Sequence, residues 1–326
     1  MKNLTYYERL SYLWQKHQEQ KSENSPTVVS LFAGGGGSSL GYSMAGYREL
    51  CAVEFWKPAY ECLYENFGFP VITKDIRTVD SSEILSVAGL KERMLDVLDM
   101  SPVCCGFSPA GKMNPEDERN FLFKAAVRIL EGLQPRAFVM ENVPQMANAR
   151  FSHIFEEVKA GFENAGYVIK YKVISAKDFG IPTVRKRIFI VGIRKDLNKE
   201  FTFPCPEYQE VQAQQVLEIL EEGKFRPLTE RYVGYWEQAL PGKSVGRQKS
   251  AKKIDPSKPS CPILCNSDHF SPYQPRVLSQ NELMAIQGFP QGFKFKSRNH
   301  ARQIIGNSVC PPLMYELATA IKEVLL

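Results

Sequence analysis

The chain has 326 residues, of which 44% are hydrophobic and 24% charged, and its 41 basic and 36 acidic side chains give a net charge of +5. This composition excludes a disordered, collagen-like or membrane-spanning chain, because no stretch reaches the roughly 20 apolar residues of a membrane helix. The length predicts two domains, or one domain with a large insertion. The small positive charge permits a polyanionic partner without requiring one.

Cysteine usage and the N-terminus indicate a cytoplasmic protein. The 8 cysteines are too few and too scattered for a disulfide framework, and the N-terminal stretch lacks the apolar core of a signal peptide. Cys104 and Cys105 are adjacent, and neighbouring cysteines rarely form a disulfide because the ring would be strained. At least one of them is therefore expected to be a free or working thiol.

The predicted elements begin with a helix and continue as an α/β pattern. Tyrosine and leucine recur at helical spacing until Pro26, so we assign residues 1–26 to an N-terminal helical extension. From Val28, short β-branched or apolar runs alternate with longer amphipathic stretches, which predicts a mixed, mostly parallel sheet. These runs are VVSLF, ELCAVEF, VITKDI, VLDMS, AFVMENV, YVIKYKVI and RIFIVGI.

This rhythm stops after Arg194. Residues 197–275 are rich in Pro, Gln and Lys and have little periodicity, which predicts a second, smaller domain. A helical pattern returns over residues 311–326, long enough to pack back onto the first domain. We therefore assign the domain with the sheet to residues 27–196 and 300–326, and the small domain with its hinge to residues 197–299.

A glycine-rich turn follows the first strand. In VVSLFAGGGGSSLGYSMAG, a strand, a loop and a helix succeed one another, so Gly34 to Gly37 allow backbone to approach a ligand at a helix N-terminus. Glu54 ends the next strand, where a carboxylate can accept two hydrogen bonds from a ribose diol. Asp75 follows the third strand, where it can accept from an adenine amine. This layout indicates a nucleotide-like ligand and is common to NAD, FAD and S-adenosylmethionine sites, and a loop that only turns the chain would look the same.

Further chemistry-bearing residues stand at strand ends. SPVCCGFSPAGK follows the fourth strand, so its thiols lie where open α/β sheets bind ligands. Glu141 ends the next strand, and Arg185 and Arg187 open another. Together they can converge on one site. Taken singly, a cysteine can also be a small buried apolar side chain, and a strand-end glutamate or arginine can also be a solvated surface residue.

Taken in order, these motifs resemble those of the DNA cytosine C5 methyltransferases. The matching segments span residues 28–313 and are FAGGGGSSLGY, VEFWKPA, KDI, SPVCCGFSPAGK, ERNFLF, MENV, PTVRKRIFIVG, RVLSQNELMAIQGFP and IIGNSVCPPL. The resemblance implies a Rossmann-like methyltransferase fold with a target-recognition domain at residues 197–299. It also implies S-adenosylmethionine as methyl donor, S-adenosylhomocysteine as product and a specific double-stranded DNA sequence as substrate.

The resemblance assigns roles to individual positions. The family's nucleophile falls on Cys104, the glutamate of its ENV motif on Glu141 and its arginine motif on Arg185 and Arg187. The cofactor positions fall on Phe32, Ala33, Gly34, Gly36, Gly37, Glu54, Phe55, Asp75, Ile76, Pro102, Leu122 and Asn307. Loop positions that touch the DNA backbone fall on Ser108 and Lys112. From charge alone we add Lys243, Arg247, Lys249, Lys252 and Lys253 as phosphate contacts, although a solvated loop would look the same.

The reaction explains these residue types. Cytosine C5 is a poor nucleophile, so a thiolate must add to C6 while N3 is protonated before C5 can attack a methyl group. Cys104 would supply the thiolate, Glu141 the proton and Arg185 or Arg187 a hydrogen bond to cytosine O2. A stacked cytosine cannot be attacked in this way, so the base must leave the duplex at a cost of a few kcal/mol.

The chain departs from the family pattern at four positions and leaves alternatives open. Val103 and Cys105 stand where the family usually has Pro and Gln, Thr183 where it has Gln, and Cys310 where it has Pro. Cys105 as the reactive thiol and an inactive DNA-binding relative are therefore alternatives. An RNA methyltransferase is another, although the Cys-Phe-Thr tripeptide of that branch is absent. A nicotinamide dehydrogenase would leave the thiol and Glu141 without roles.

Cys205, Cys261, Cys265 and His269 have partial zinc-ligand spacing. Because this stretch is an ordinary strand and loop in the family that the chain resembles, we predict no metal site. We expect a monomer that does not associate with membranes. The resemblance is compatible with three biological roles: restriction-modification, a function in phage, or regulation.

Overall fold

The computed structural model describes residues 4–102, 118–217, 227–296 and 298–326. The chain divides into two compact units, which we name the sheet unit and the second unit. The sheet unit comprises Lys16–Ile174, Lys186–Cys205 and Met314–Leu326, and the second unit comprises Met1–Gln15, Ser175–Arg185 and Pro206–Leu313.

All seven predicted runs form strands of one sheet. The strands are β1 (Thr27–Leu31), β2 (Arg48–Val53), β3 (Val71–Ile72), β4 (Val97–Met100), β5 (Ala137–Asn142), β6 (Tyr167–Ser175) and β7 (Lys186–Arg194). Their order is β3-β2-β1-β4-β5-β7-β6. Neighbours from β3 to β5 are parallel and β7 is antiparallel to β5, which confirms the predicted mixed, mostly parallel sheet.

The helices lie between and after the strands. They are α1 (Tyr6–Gln18), α2 (Gly37–Met44), α3 (Lys57–Asn66), α4 (Ser81–Ala88), α5 (Phe123–Leu133), α6 (Ser152–Asn164), α7 (Gln214–Leu217), α8 (Glu230–Gln238), α9 (Gln280–Gln287), α10 (Arg298–Asn307) and α11 (Pro311–Leu325). The Tyr47 hydroxyl donates to the Ala318 carbonyl of α11 at 3.0 Å. The C-terminal helix thus packs onto the sheet unit, as its periodicity predicts.

The central strands are buried on both faces, which is typical of a sheet covered by helices on each side. Every residue of β1, β4 and β5 is buried. The Phe138 ring lies 4.3 Å from the Phe162 ring and 5.2 Å from the Tyr167 ring between centroids. A Cβ at Gly192 would lie 2.1 Å from a ring carbon of Phe138, so β7 needs glycine there to pair with β5. This tight core holds the strand ends that carry the candidate site.

The second unit includes most of α1 and a short parallel sheet of β8 (Lys252–Lys253) and β9 (His269–Phe270). Tyr6, Leu10 and Leu13 are buried, as the helical spacing of the N-terminal region predicts. The Arg9 guanidinium donates to the Phe179 and Gly180 carbonyls, each at 2.9 Å. Within the described ranges, none of the helices combines the length and apolar character needed to cross a bilayer.

Candidate active site

The glycine loop leaves β1 through left-handed turns. Phe32, Gly34 and Gly36 have φ values of +54°, +55° and +91°, a region that is strained for residues other than glycine. A Cβ at Gly36 would lie 2.6 Å from a ring carbon of Phe67, so the loop requires glycine at this position. Gly37 then begins α2, whose first backbone N–H groups lie beside the loop and can bind a polar ligand.

Glu54 connects the glycine loop to the end of β2. Its Oε2 accepts from the Gly34 backbone N–H at 2.8 Å, and its Oε1 accepts from the Trp56 N–H at 2.8 Å. Burial raises the pKa of this carboxyl, and the backbone hydrogen bonds act in the opposite direction. Each oxygen keeps a lone pair beyond these bonds, so Glu54 can both hold the loop and accept from a diol.

Three further predicted cofactor positions follow β2 and β3. Phe55 is 62% exposed although it directly follows the buried Glu54, which leaves an aromatic ring open beside the loop. Asp75 accepts from the Arg77 backbone N–H at 3.0 Å and from its guanidinium Nη2 at 2.5 Å. These side-chain hydrogen bonds from Arg77 lower the pKa of Asp75. An adenine amine would share the Asp75 carboxylate with Arg77, while the neighbouring Ile76 is buried in the core.

The remaining predicted cofactor positions of the sheet unit, Ala33, Pro102 and Leu122, lie near strand ends or before a helix. Ala33 is buried, and its backbone N–H donates to the Val53 carbonyl at 3.2 Å. Pro102 is buried two residues after β4. Leu122 precedes α5 and packs, half-buried, against the core of the sheet unit.

Glu141 and Arg187 form an ion pair at the carboxyl end of β5, with Glu141 buried and Arg187 partly buried. Glu141 on β5 is 7% exposed, and its Oε1 lies 2.7 Å from Arg187 Nε. The antiparallel register explains this contact, because Phe189 lies opposite Glu141 and Arg187 is two residues away on the same face of β7. The structure therefore brings together the predicted glutamate and one of the two predicted arginines.

Asn142 ties this pair to the segment that carries the predicted nucleophile. Its side-chain Nδ2 donates to the Pro102 carbonyl at 3.2 Å, and its Oδ1 accepts from the Val143 N–H at 2.8 Å. Cys104, Ser108 and Lys112 lie outside the described residues. The described segment that ends at Pro102 is therefore anchored beside Glu141.

Two predicted site residues belong to the second unit. Arg185 is 2% exposed, and its Nη1 donates to the Ile263 carbonyl at 3.3 Å. Asn307 is exposed at the end of α10. Of the departures from the family pattern, Thr183 and Cys310 are both buried in this unit.

The predicted basic window also lies in the second unit, and its members differ in environment. Lys243, Arg247 and Lys249 are exposed, and Lys252 is half-buried on β8. Lys253 is 8% exposed, and its Nζ lies 3.7 Å from the Trp236 ring centroid and donates to the Trp236 carbonyl at 3.2 Å. Burial lowers the pKa of Lys253. Its ammonium is engaged by an aromatic face, whereas the three exposed cations are open to a phosphate.

The residues with zinc-like spacing have other environments. His269 is buried, its Nε2 lies 3.1 Å from the Pro262 carbonyl oxygen, and burial lowers its pKa to about 4. Cys205 is exposed, and Cys261 and Cys265 are partly buried. In the part of the chain that the structure describes, no three His, Cys, Asp or Glu side chains are grouped as a metal site needs.

Two buried polar residues near the site, Asp99 and Asn142, were not predicted from the sequence, and neither was Glu49, which is half-buried near the start of β2. Asn142 adjoins Glu141 in the ENV segment, and an amide beside a strand-end acid was the available signal. Asp99 interrupts the otherwise apolar run VLDMS, and Glu49 begins the run ELCAVEF. A carboxylate inside a central strand is costly unless its surroundings compensate for it, and that cost was the signal for these two.

A glycine loop on β1, an acid at the end of β2 and a buried glutamate at the end of β5 define a nucleotide-cofactor α/β protein with a reactive site at one sheet edge. The family model of the C-5 cytosine-specific DNA methylases matches residues 26–234 and 221–323. The chain belongs to this family. It is a DNA (cytosine-5) methyltransferase, and the family implies use of S-adenosylmethionine and a DNA substrate.

Curated relatives support this membership. The chain is 34% identical to the Type II methyltransferase M1.HphI of Haemophilus parahaemolyticus over 337 residues, which cover 93% of this chain and 87% of the relative. It is 31% identical to the Type II methyltransferase M.MthTI of Methanothermobacter thermautotrophicus over 330 residues, which cover 91% and 97% of the two chains. These matches favour a methyltransferase over the alternative of a nicotinamide dehydrogenase.

Solved structures share the fold at low sequence identity. A proposed DNA modification methyltransferase encoded within an E. coli prophage superposes with a TM-score of 0.79 at 22% identity, covering 92% of this chain and 99% of that one. The Dnmt2 methyltransferase of S. pombe gives a TM-score of 0.70 at 18% identity, covering 92% and 99%. Both likenesses support the methyltransferase-type fold predicted from the sequence.

Proposed function

We propose that the enzyme methylates C5 of a cytosine rotated out of double-stranded DNA, through a transient bond between Cys104 Sγ and cytosine C6. The ion pair between the buried Glu141 and the partly buried Arg187 carries this proposal. It supplies a carboxyl and a hydrogen-bond donor beside the segment that ends at Pro102, two residues before Cys104. A carboxyl in such a setting suits proton exchange with the N3 atom of a pyrimidine.

The proposed steps balance in atoms and charge. The Cys104 thiolate adds to C6 while the Glu141 carboxyl gives its proton to N3, which leaves a neutral enamine and a glutamate carboxylate. When bound, S-adenosylmethionine supplies a methyl group from its sulfonium, and C5 takes it up. A base then removes the C5 proton, the C6–S bond breaks to release the thiolate, and the N3 proton returns to Glu141.

Glu141 and the arginines would hold the flipped base in position for the reaction. The Arg187 guanidinium at 2.7 Å fixes the orientation of the Glu141 carboxyl. Arg185 or Arg187 would donate to cytosine O2. Cys104 needs to be ionised, and a cationic neighbour favours a thiolate over a thiol of pKa about 8.5.

The glycine loop and Glu54 fit S-adenosylmethionine. A Cβ at the left-handed Gly34 would meet no atom within 4 Å, so the loop is open to a ligand there, and Glu54 keeps acceptor capacity for a ribose diol beside the exposed Phe55 ring. We propose that these residues bind the cofactor together with Phe32, Ala33, Gly34, Gly37, Asp75, Ile76, Pro102, Leu122 and Asn307. A nucleoside that stacks on Phe55 would explain an exposed aromatic next to a buried acid.

DNA contacts would offset the cost of base flipping. Lys243, Arg247 and Lys249 are exposed cations close together in sequence, which supports a role in phosphate binding. Lys252 is half-buried and can join them, whereas the engagement of Lys253 by Trp236 argues for a packing role. Ser108 and Lys112 would contact the backbone from the loop that carries Cys104.

The biological setting is proposed from the relatives. The curated relatives named above are Type II methyltransferases, and we propose that this enzyme likewise serves a restriction-modification system. We further propose a cytoplasmic monomer with a target-recognition domain at residues 197–299, a catalytic domain at residues 27–196 and 300–326, and an N-terminal extension at residues 1–26.

The function is tested by methyl transfer itself. Bisulfite sequencing of DNA from cells that express the protein would report 5-methylcytosine in one sequence context, and tritium from labelled S-adenosylmethionine would enter purified DNA. We expect Cys104→Ser to abolish transfer and Cys105→Ser to retain it. Full turnover by Cys104→Ser together with loss in Cys105→Ser would overturn the assignment of the nucleophile.

A further inference from the structure

Asp99 on β4 is a buried carboxyl that the reaction as described does not use. The sheet register places Ser30 opposite Asp99 on one side and Val139 opposite Asp99 on the other. Because side chains alternate along a strand, Glu141, two residues beyond Val139, lies on the same face as Asp99. Asp99 is 1% exposed and Glu141 is 7% exposed. Two carboxyls thus occupy one buried face of adjacent strands.

The groups around Asp99 are hydroxyls and acids. From α2, the Tyr42 hydroxyl donates to Asp99 Oδ1 at 3.4 Å, and the Ser38 side chain also hydrogen-bonds to the carboxyl. From β2, Glu49 lies opposite Val28 and therefore on the same face as Ser30, where its Oε1 accepts from Ser39 Oγ at 3.0 Å. The charged groups that act on Asp99 and Glu49 from these elements are carboxylates.

The two carboxyls influence one another's protonation. Burial raises the pKa of Asp99 to about 7, hydrogen bonds from Ser38 and Tyr42 lower it, and the charge of Glu141 raises it. Since the interaction between two charges is reciprocal, a negative charge on Asp99 equally disfavours a negative charge on Glu141. Arg187 acts on Glu141 in the opposite sense, because a guanidinium at 2.7 Å favours the carboxylate.

We propose that Asp99 is a positioning residue that shares one negative charge with Glu141 and thereby keeps a proton available to Glu141 against the pull of Arg187. This inference rests on the proposed function, in which Glu141 gives its proton to cytosine N3. The proton that leaves Glu141 when Cys104 adds to C6 returns when the thiolate departs, so the pair ends each turnover as it began. Without Asp99, the Arg187 guanidinium would act on Glu141 unopposed and favour its carboxylate form.

The first test is the pH profile of single-turnover methyl transfer. Loss of the Glu141 proton sets the alkaline limb, and Asp99→Asn should move that limb to lower pH by roughly one pH unit. Glu49→Gln is the matched control, because it removes a half-buried carboxyl from β2, which lies beyond β1 from Asp99. We expect less than half of the displacement in this control. A uniformly lower rate with an unmoved limb in Asp99→Asn would mean a merely structural role and would overturn the inference.

The second test does not depend on activity. Carboxyl ¹³C resonances followed by pH titration report the pKa of Asp99 in the full chain. Glu141→Gln should lower this pKa by roughly one pH unit, because the substitution removes the neighbouring negative charge. An Asp99 titration that is identical in the two proteins would overturn the inference. The proposed function fails separately, if Glu141→Gln transfers methyl groups at the wild-type rate with its alkaline limb intact.

Discussion

Glu54 has two roles in the proposed cofactor site: it holds the backbone of the glycine loop, and it can accept hydrogen bonds from the cofactor. In Glu54→Gln, the amide NH₂ would face the N–H of Gly34 or Trp56, so one donor loses its acceptor. A hydrogen bond to a charged group contributes about 1.5–3 kcal/mol, so the dissociation constant for S-adenosylmethionine should rise about 10- to 100-fold while kcat at saturation changes little. Calorimetric titration measures this. The control is Glu92→Gln, which makes the same change of charge at an exposed site and should leave the dissociation constant unchanged. An unchanged dissociation constant in Glu54→Gln would contradict the role assigned to Glu54.

Asn142 is expected to act on the chemical step. Asn142→Ala removes the donor to the Pro102 carbonyl at 3.2 Å, and misplacing a catalytic group by about 1 Å can cost on the order of 100-fold in rate. We expect kcat to fall about 10- to 100-fold, with a smaller loss of affinity for S-adenosylmethionine because Pro102 is also a proposed cofactor position. Single-turnover kinetics measures the first quantity and calorimetry the second. Asn148→Ala, an exposed site on the same connection, should have the wild-type rate; equal rates for the two variants would refute the anchoring role.

At the residue scale, the motifs predicted the glutamate and arginine side chains of the site but not what holds them. The Glu141–Arg187 contact depends on an antiparallel register between strands far apart in sequence, which neither segment specifies by itself. The sequence marks Asp99 as an acid inside an apolar strand, but its partner across the sheet could not be predicted because strand order sets it. Lys253 reads as a surface cation by composition, yet a tertiary contact with Trp236 buries it.

At the element scale, α9 depends on one buried ion pair. Glu282 is 1% exposed, closes a capping box with Ser279 and binds Arg276 Nη1 at 2.7 Å and Nη2 at 2.9 Å. Glu282→Ala leaves the buried guanidinium without its carboxylate partner, which should lower the free energy of unfolding by about 3–5 kcal/mol. Urea denaturation followed by circular dichroism measures this change.

The control for α9 is an exposed pair at the C-terminal end of α1, where Glu19 directly follows the helix. Lys16 and Glu19 lie 2.7 Å apart with side chains 37% and 57% exposed, so Glu19→Gln should change the free energy of unfolding by less than about 1 kcal/mol. If both substitutions had equally small effects, the Arg276–Glu282 pair would not be the stabilising contact of this helix.

Periodicity predicted the elements better than their arrangement. All seven strands appear where β-branched or apolar runs alternate with amphipathic ones, because central parallel strands must be apolar on both faces. The insertion of β7 between β5 and β6 has no signature in those runs. In the described parts of residues 197–275, irregular segments are held by side-chain contacts such as Trp236 Nε1 to the Ser271 carbonyl at 2.7 Å. Contacts of this kind produce no periodic pattern in the sequence.

At the scale of the whole molecule, DNA affinity should depend on salt through the exposed cations of the second unit. Each phosphate contact contributes about 0.9 to the slope of log K against log salt concentration, so replacing Lys243, Arg247 and Lys249 with alanine should reduce that slope by about 2.7. Fluorescence anisotropy on a labelled duplex measures it. Replacing the exposed Lys91 and Lys199 of the sheet unit should leave the slope unchanged. An unchanged slope in the triple variant would exclude this window as a phosphate-binding surface.

The central claim is that Cys104 bonds to cytosine C6 while Glu141 exchanges a proton with N3. The most direct measurement uses duplex DNA with 5-fluorocytosine in the methylated sequence, because fluorine at C5 cannot be removed as a proton and the adduct accumulates. In the presence of S-adenosylmethionine, we predict a denaturant-stable complex for the wild type and Cys105→Ser, with mass spectrometry locating the bond at Cys104, and none for Cys104→Ser. A complex that forms with Cys104→Ser, or a bond located at Cys105, would contradict the account.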